Sequence, residues 1–535
     1  MSKSHNPANT SMGTTGPEAV DLKNVKLDLE QVSPAPEQES INAEQSSYRQ
    51  IFKATSLFGG VQVFQILIGI VRVKFVAVLL GTTGVGIIGL LNAPVDLIIS
   101  ITGLGISFSA VRNISEANGA GDQKGIAVAI QTLRRWAWFT GLLGAVVTLA
   151  LAPLLSKWSF GNKEYTWAFL WLSITLLLYA ISKGQTAILQ GTRRLKDMAK
   201  AGVIGSALGL VTSIPLYYWF GLKGIVPAML ISSFTALLLS WYFSRRVKIE
   251  RIELTIKETY SAGISMAKLG ISMTLAGFVA SLSRYILNAF ISNLNGIDEV
   301  GLYNAGWGVV GQYTAIIFTA MATDYFPRLS AIQADNNKVK ELVKQQAETA
   351  VLILTPLLSL LIIAMPLVVR VLYTPAFLPM VMFASLTLVG IQFKAISWSL
   401  GYVYLAKGNG RLFLILEIIS GLVILGLNLG FYYLYGLNGL GISFILSYFL
   451  GIILSYSVLK WKYDFSFPSN FYGQFFIAYG FVIATFLTIF IPDTFYKYLI
   501  GSLVLLSATG FSLIRLNELM DLRSLLSGIF KRKTK

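Results

Sequence analysis

The sequence predicts an all-α polytopic membrane protein with about fourteen transmembrane helices, arranged as two six-helix lobes plus two extra C-terminal helices. Three observations carry this. Of the 535 residues, 54% are hydrophobic and 13% charged, where a soluble domain carries about 25% charged residues. Apolar runs of about twenty residues, the length that crosses a bilayer, recur along nearly the whole chain. And the first half of the chain resembles the second at an offset of 212 to 215 residues.

Apolar windows place spans near 55–80, 86–110, 136–155, 166–189, 201–221, 224–243 and 269–292. The remainder fall near 301–323, 350–372, 378–405, 412–434, 437–459, 471–491 and 498–514. Residues 1–50 are rich in Ser, Pro, Glu, Gln and Asn and read as a disordered cytoplasmic tail without the design of a signal peptide.

Net charge is +17, from 43 Lys and Arg against 26 Asp and Glu. In a soluble protein this would suggest nucleic acid; here the positive-inside rule accounts for it, and no nucleic-acid partner is expected. With the N-terminus cytoplasmic, the inner loops hold 22 Lys and Arg, and the outer loops hold four: Lys157, Lys163, Lys223 and Lys497. Both termini are therefore expected inside. There is no cysteine and one histidine, His5, so thiol chemistry is excluded and no metal or cofactor is expected. The outer loops are too short to house an extracellular catalytic domain, and no enzyme activity is expected.

The repeat has three parts. Arg72 stands seventeen residues before GLLNA (89–93), and Arg284 seventeen before GLYNA (301–305). APLLSKW at 152–158 matches MPLVVRV at 365–371, and YYWFGLKGI at 217–225 matches YYLYGLNGL at 432–440. A six-helix unit keeps its orientation when repeated, so the copies are related by an axis along the membrane normal. The expected organisation is an N-lobe at 51–243, a basic linker at 244–268, a C-lobe at 269–459, two further helices within 460–516 and a basic tail at 517–535.

Six basic residues fall within spans: Arg72, Lys74, Lys183, Arg284, Arg370 and Lys394. Against them stand two clearly intramembrane carboxylates, Asp96 and Glu417. Charges this costly face a bundle interior or an aqueous path and mark function by default. An excess of cations selects an anion, and the planar fork of arginine suits phosphate. Arg72, Arg284, Lys394, Lys74 and Lys183 are the candidate substrate-binding residues, with Arg72 and Arg284 expected to approach each other between the lobes. Arg370 and Lys74 have a bland alternative, snorkelling to the outer interface, and Lys183 has the same toward the inner one. Asp96 and Glu417 either carry coupling ions or partner Lys74 and Lys394. Asn92, Asn288, Tyr303 and Asn304 offer hydrogen bonds to hydroxyl-rich groups, or simply join helices. GTTGVG at 81–86 lacks the Lys-Ser/Thr ending of a nucleotide loop and reads as a turn.

The stretches KATSLFGGVQVFQILIGIVRVKFVAVLLGTTGVGIIGLL, TGLGISFSAVRNISEANGAGD, ILQGTRRLKDMAKAGVIGS, YFPRLSAI and YLAKGNGRLFLILEIIS resemble Wzx-type polysaccharide flippases of the multidrug/oligosaccharidyl-lipid/polysaccharide exporter superfamily. The likeness runs over roughly residues 50–460. It implies two six-helix lobes opening alternately to each side of a bacterial inner membrane. It also implies a substrate, an undecaprenyl-diphosphate-linked oligosaccharide such as an O-antigen unit, moved to the periplasmic leaflet. Membrane lipids and polysaccharide polymerase or assembly proteins are the implied partners. The rival on the same fold is a cation-coupled drug antiporter, which calls for an acidic cavity.

Overall fold

The structure, a computed structural model, describes residues 36–520 apart from 248 and 251. The chain divides into two compact units, Met1–Ser56 and Leu57–Lys535. Among the described residues, the first unit contributes only the opening turns of α1.

The elements are α1 (Pro36–Thr102), α2 (Ile106–Gly119), α3 (Gln123–Phe160), α4 (Thr166–Gly191), α5 (Leu195–Phe220), α6 (Ile225–Ser244) and α7 (Ile256–Asn295). Then come α8 (Ile297–Ala331), α9 (Asn336–Leu372), α10 (Met380–Ala406), α11 (Gly410–Tyr463), α12 (Ser469–Leu487) and α13 (Thr494–Met520). Two of them hold more than one span, because α1 breaks its helical geometry at Gly81 and α11 at Gly436. Nine stretches among the described residues are long and apolar enough to cross a membrane. Three of these, Phe64–Thr102, Leu195–Ser244 and Gly410–Tyr463, run to 39, 50 and 54 residues. At 1.5 Å per residue each exceeds about 55 Å, so each must double back across a core of about 30 Å.

Several boundaries differ from the sequence expectation. The tail expected to be disordered to residue 50 is helical from Pro36; proline is tolerated in a first helical turn, and the Glu, Gln and Ala that follow are good helix formers. Residues 1–35 lie outside the described residues. Spans expected to begin at 136, 269 and 350 belong to helices that begin at Gln123, Ile256 and Asn336. Hydropathy sees only the apolar crossing, whereas these helices start in water on polar caps. The Asp122 carboxylate accepts from the Gly125 amide, and the Asp335 carboxylate from the amides of Asn337 and Lys338. Thr255 and Glu258 form a reciprocal capping box. The connection into α7 is correspondingly short, 245–255 rather than 244–268.

In the N-lobe α2, α3, α4 and α6 pack together, with α5 on α6; in the C-lobe α8, α9 and α11 gather around α10. The extra helices α12 and α13 pack on α9. The helix α7 belongs to both lobes, packing on α2 and α3 as well as on α8 and α11. Fully buried Leu91, Phe169, Ile291 and Val300 sit in the largest apolar core.

One face of the bundle carries the Lys/Arg-rich connections and the other carries tight hairpins. Four hairpin glycines have positive φ, which a side chain rarely tolerates. Gly81 and Gly296 are 215 positions apart, and so are Gly221 and Gly436. At that register Gly86 corresponds to Gly301, and Thr82 to Ile297. A Cβ on Gly86 would lie 2.0 Å from the Ile297 carbonyl oxygen, and one on Gly301 would lie 2.0 Å from that of Thr82. Such reciprocated contacts are what a two-fold relation produces. The Asp298 carboxylate then accepts hydrogen bonds from the hydroxyls of Thr82 and Thr83, both 2.6 Å. The two lobes are thus fastened together on the hairpin face.

Candidate functional site

The contact register of 215 has a consequence for the arginines. Arg72 lies nine residues before Gly81, while Arg284 lies twelve before Gly296. At 1.5 Å per residue these are depths of about 13 and 18 Å from the hairpin face. The residues matched at offset 212 are therefore out of step by most of a helical turn. Arg284 does not meet Arg72. It meets Asp96 of the other lobe, with 3.6 Å between its guanidinium nitrogen and the carboxylate, and the two side chains remain 44% and 50% exposed. Among the described residues Arg72 has no hydrogen bond or ion pair.

The two residues of the pair each stand three positions from the lining of a cavity, beside Ser281 on α7 and Ile99 on α1. Ser100 of α1 and Gly103 just after that helix, four and seven residues beyond Asp96, line a space of about 470 Å³ in the N-lobe. Thr274, Gly277 and Ser281 of α7 line it too, and the same i, i+3, i+4 spacing carries on to Arg284. Thr140 of α3 and Tyr179 and Lys183 of α4 form the far wall. The Lys183 ammonium lies 5.3 Å from the Tyr179 ring centroid, a cation–π contact that holds it at the wall without neutralising it. Gly144, the lining residue of α3 nearest the hairpin face, is sixteen residues short of Phe160, about 24 Å. Along α3 the cavity therefore lies toward the end of the helix away from the hairpin.

A break in the second span shapes this cavity. Between α1 and α2, Leu104 and Gly105 take φ of 48° and 62°, a strained geometry for leucine. A Cβ on Gly105 would lie 2.3 Å from the Gly270 carbonyl oxygen of α7, so backbone meets backbone. Ser109 donates to the Met266 carbonyl oxygen at 2.8 Å and secures the same junction. Discontinuous spans are a recurrent way to bring polar backbone to a transport site. The sequence signal was TGLGIS, whose glycines suggest close packing or bending.

Lys74 does not pair with Asp96, which is taken by Arg284. Its ammonium donates to the carbonyl oxygens of Tyr373 at 2.5 Å and Arg370 at 3.2 Å, the C-terminal end of α9. A cation there satisfies unpaired carbonyls and the negative end of the helix dipole. Lys74 is thus a fastening between the lobes. The Arg370 side chain is exposed.

Lys394 and Glu417 form no ion pair. The Lys394 ammonium lies 5.3 Å from the Phe318 ring and 5.9 Å from that of Tyr448, while Glu417 acts on Tyr448 electrostatically. Neither lines the N-lobe cavity. The asparagines take their structural reading: Asn304 Nδ2 donates to Asn288 Oδ1 at 2.9 Å, joining α8 to α7, and Asn288 is fully buried. Asn304 also rests on Gly89 of the opposite lobe, where a Cβ would meet its amide at 2.4 Å.

Among the described residues no group of three or more metal-ligating side chains gathers. Among the described residues the cavity offers one cation, Lys183, and the hydroxyls of Ser100, Thr140, Tyr179, Thr274 and Ser281, and the Arg284–Asp96 pair stands one turn beyond its lining on α7 and α1. It can bind an anion with a hydroxyl-rich appendage. The hydroxyl residues were not singled out in the sequence, because Ser and Thr are ordinary in membrane helices; the only signal was the stripe Thr274, Gly277, Ser281, Arg284.

Comparison with known proteins bears on this arrangement. A sequence profile for the family described as "Polysaccharide biosynthesis protein" matches residues 75–382. A putative O-antigen transporter of Shigella flexneri is 23% identical over 402 residues, covering 74% of this chain and 94% of that protein. The lipid III flippase of Escherichia coli (strain K12) is 19% identical over 359 residues, covering 65% and 84%. Among solved structures, the lipid II flippase MurJ in an inward closed conformation matches with a TM-score of 0.64 at 16% identity, covering 88% of this chain and all of that one. An inward-facing multidrug resistance MATE family transporter of the MOP superfamily matches with a TM-score of 0.60 at 19% identity, covering 74% and 96%.

Proposed function

The chain belongs to the polysaccharide biosynthesis protein family, among the Wzx-type flippases of the multidrug/oligosaccharidyl-lipid/polysaccharide exporter superfamily, and from that membership we propose that it moves an undecaprenyl-diphosphate-linked oligosaccharide across the bacterial inner membrane. Its general role is that of a membrane transporter of this superfamily. The observation that supports the substrate is the N-lobe cavity, whose one charged lining residue among the described residues is the cation Lys183, with the Arg284–Asp96 pair one turn beyond the lining.

In this reading the substrate enters from the cytoplasmic leaflet, on the basic face, and both chain termini lie on that side. The diphosphate takes the Arg284 guanidinium in competition with Asp96, and Lys183 adds a second cation. The sugars lie against the hydroxyls of Thr140, Thr274 and Ser281, and the polyprenyl chain stays in the bilayer. Binding to Arg284 draws it off Asp96 and so loosens one tie between the lobes. The hairpin face then opens by parting Asp298 from Thr82 and Thr83, and Lys74 from the end of α9. No covalent bond is made or broken.

The fold is shared with multidrug transporters, and the charge of the cavity argues against a cationic cargo. Proteoliposomes containing the protein separate the two. Movement of a fluorescent undecaprenyl-diphosphate oligosaccharide, with no uptake of a cationic dye, is the expected result. Dye uptake without lipid movement would refute the assignment.

A further inference from the structure

A second cavity, of about 1070 Å³, lies between α3, α4, α6 and the connection that leads to α7. This matches the upper end of the roughly 300–1,000 Å³ of ligand sites. None of the transport residues above lines it. Its apolar wall is built by side chains such as Leu178 of α4, Leu237 of α6 and Trp138 of α3, and Trp138 is exposed on the bundle's outer surface. A bilayer lipid is the natural occupant of such a wall.

Among the described residues, its polar end is made of two cations, two carboxylates and one buried acceptor. Gln131 and Arg134 stand one turn apart on α3, Arg245 follows the last residue of α6, and Glu250 and Glu253 come from the connection. Arg134 has no hydrogen bond or ion pair among the described residues. The Arg245 guanidinium lies 4.7 Å from the Trp241 ring centroid with no carboxylate partner among the described residues. The Gln131 Oε1 atom is buried and accepts no hydrogen bond, a costly arrangement unless something donates to it. Arg134 and Arg245 flank the water end of apolar spans, the depth of lipid headgroups.

Equal numbers of unpaired cations and carboxylates among the described residues fit a zwitterion, and an orphaned acceptor asks for an N–H donor. We propose that this cavity binds a two-chain phospholipid with a primary-ammonium headgroup, of the phosphatidylethanolamine type. Its phosphate sits on the Arg134 and Arg245 guanidinium groups, whose forks suit phosphate oxygens. Its ammonium donates to Gln131 Oε1 and to the carboxylates of Glu250 and Glu253. The acyl chains run along Trp138, Leu178 and Leu237. A purely anionic headgroup would meet the two carboxylates, and a choline headgroup has no N–H to give. The inference is independent of the transport reading, because it uses different residues.

The test is native mass spectrometry of the full-length protein, delipidated and then titrated with phosphatidylethanolamine, phosphatidylglycerol or phosphatidylcholine of matched chains. Wild type should retain the ethanolamine lipid at least about tenfold better than either other. Arg134→Ala should lose that retention and Arg134→Lys should keep much of it. Glu250→Gln/Glu253→Gln should erase the preference over phosphatidylglycerol. Thermal unfolding in lipid-free detergent identifies any variant that fails to fold, and Glu250→Gln/Glu253→Gln, altered only in an exposed connection, then carries the test. Equal retention of all three lipids by wild type would overturn the proposal. So would displacement of the ethanolamine lipid by undecaprenyl diphosphate, which would make the groove part of the transport path.

Discussion

Arg284 is held by Asp96 from the opposite lobe at 3.6 Å, with both side chains about half exposed. Pairs this open are worth about 1 kcal/mol or less, so the ion pair is strong enough to bias a resting state and weak enough for a diphosphate to displace. Asp96→Asn should leave the protein folded and raise the affinity for undecaprenyl diphosphate by up to about fivefold, the ratio that 1 kcal/mol gives. Equilibrium binding to the purified protein measures it. Unchanged affinity would mean that Asp96 does not compete with substrate.

Lys74 ties α1 to the end of α9 through two backbone carbonyls. One of these bonds is exposed and the other half-buried, so Lys74→Ala should cost about 1 kcal/mol of stability rather than the full value of a buried charged bond. Its larger effect should be on the hairpin face, which it frees to open. The chain has no cysteine, so a single thiol at Leu302 reports opening cleanly. Its labelling by a membrane-impermeant maleimide should be faster in Lys74→Ala than in the parent.

Gly301 approaches the Thr82 carbonyl so closely that a methyl group would stand 2.0 Å from the oxygen. Gly301→Ala should push the hairpins apart and cut the bonds from Thr82 and Thr83 to Asp298. Transport should then fall while labelling at the hairpin face rises. Falling transport with unchanged labelling would show that the glycine serves some purpose other than closure.

Glu258, in water at the start of α7, accepts from the Thr255 amide and hydroxyl, and these bonds hold its carboxyl below its ordinary value of 4.5. A depressed acid contributes stability that is present above the unfolded value and lost as pH falls through the folded one. The difference in melting temperature between wild type and Thr255→Ala should therefore be constant above about pH 5 and shrink below pH 4.5. A difference that grew on acidification would contradict the capping box.

The all-α, polytopic character was legible because hydropathy reports directly on membrane crossing. The hairpin glycines gave the correct register, since Gly221 and Gly436 fall within the matched YYWFGLKGI and YYLYGLNGL. The pairing of charges was not legible. The identity of GLLNA with GLYNA suggested an offset of 212, and it set Arg72 opposite Arg284; the backbone contact at Gly86 and Gly301 follows 215 instead. A shift of three residues changes the face and depth of a helical side chain, and no composition signal reports it. The partners of Lys74 were not legible either, because they are backbone carbonyls, which every residue carries.

Transport of fluorescent undecaprenyl-diphosphate oligosaccharide by proteoliposomes, compared between wild type and Lys183→Ala/Arg284→Ala, tests the central claim most directly. Lys183 lines the cavity and Arg284 stands one turn beyond it, and each charged hydrogen bond lost costs about 1.5–3 kcal/mol. Wild type should move the lipid, and the double variant should move it at least a hundredfold more slowly, roughly the sum of two such losses. Equal rates in the two proteins would contradict the assignment of Lys183 and Arg284 to the diphosphate.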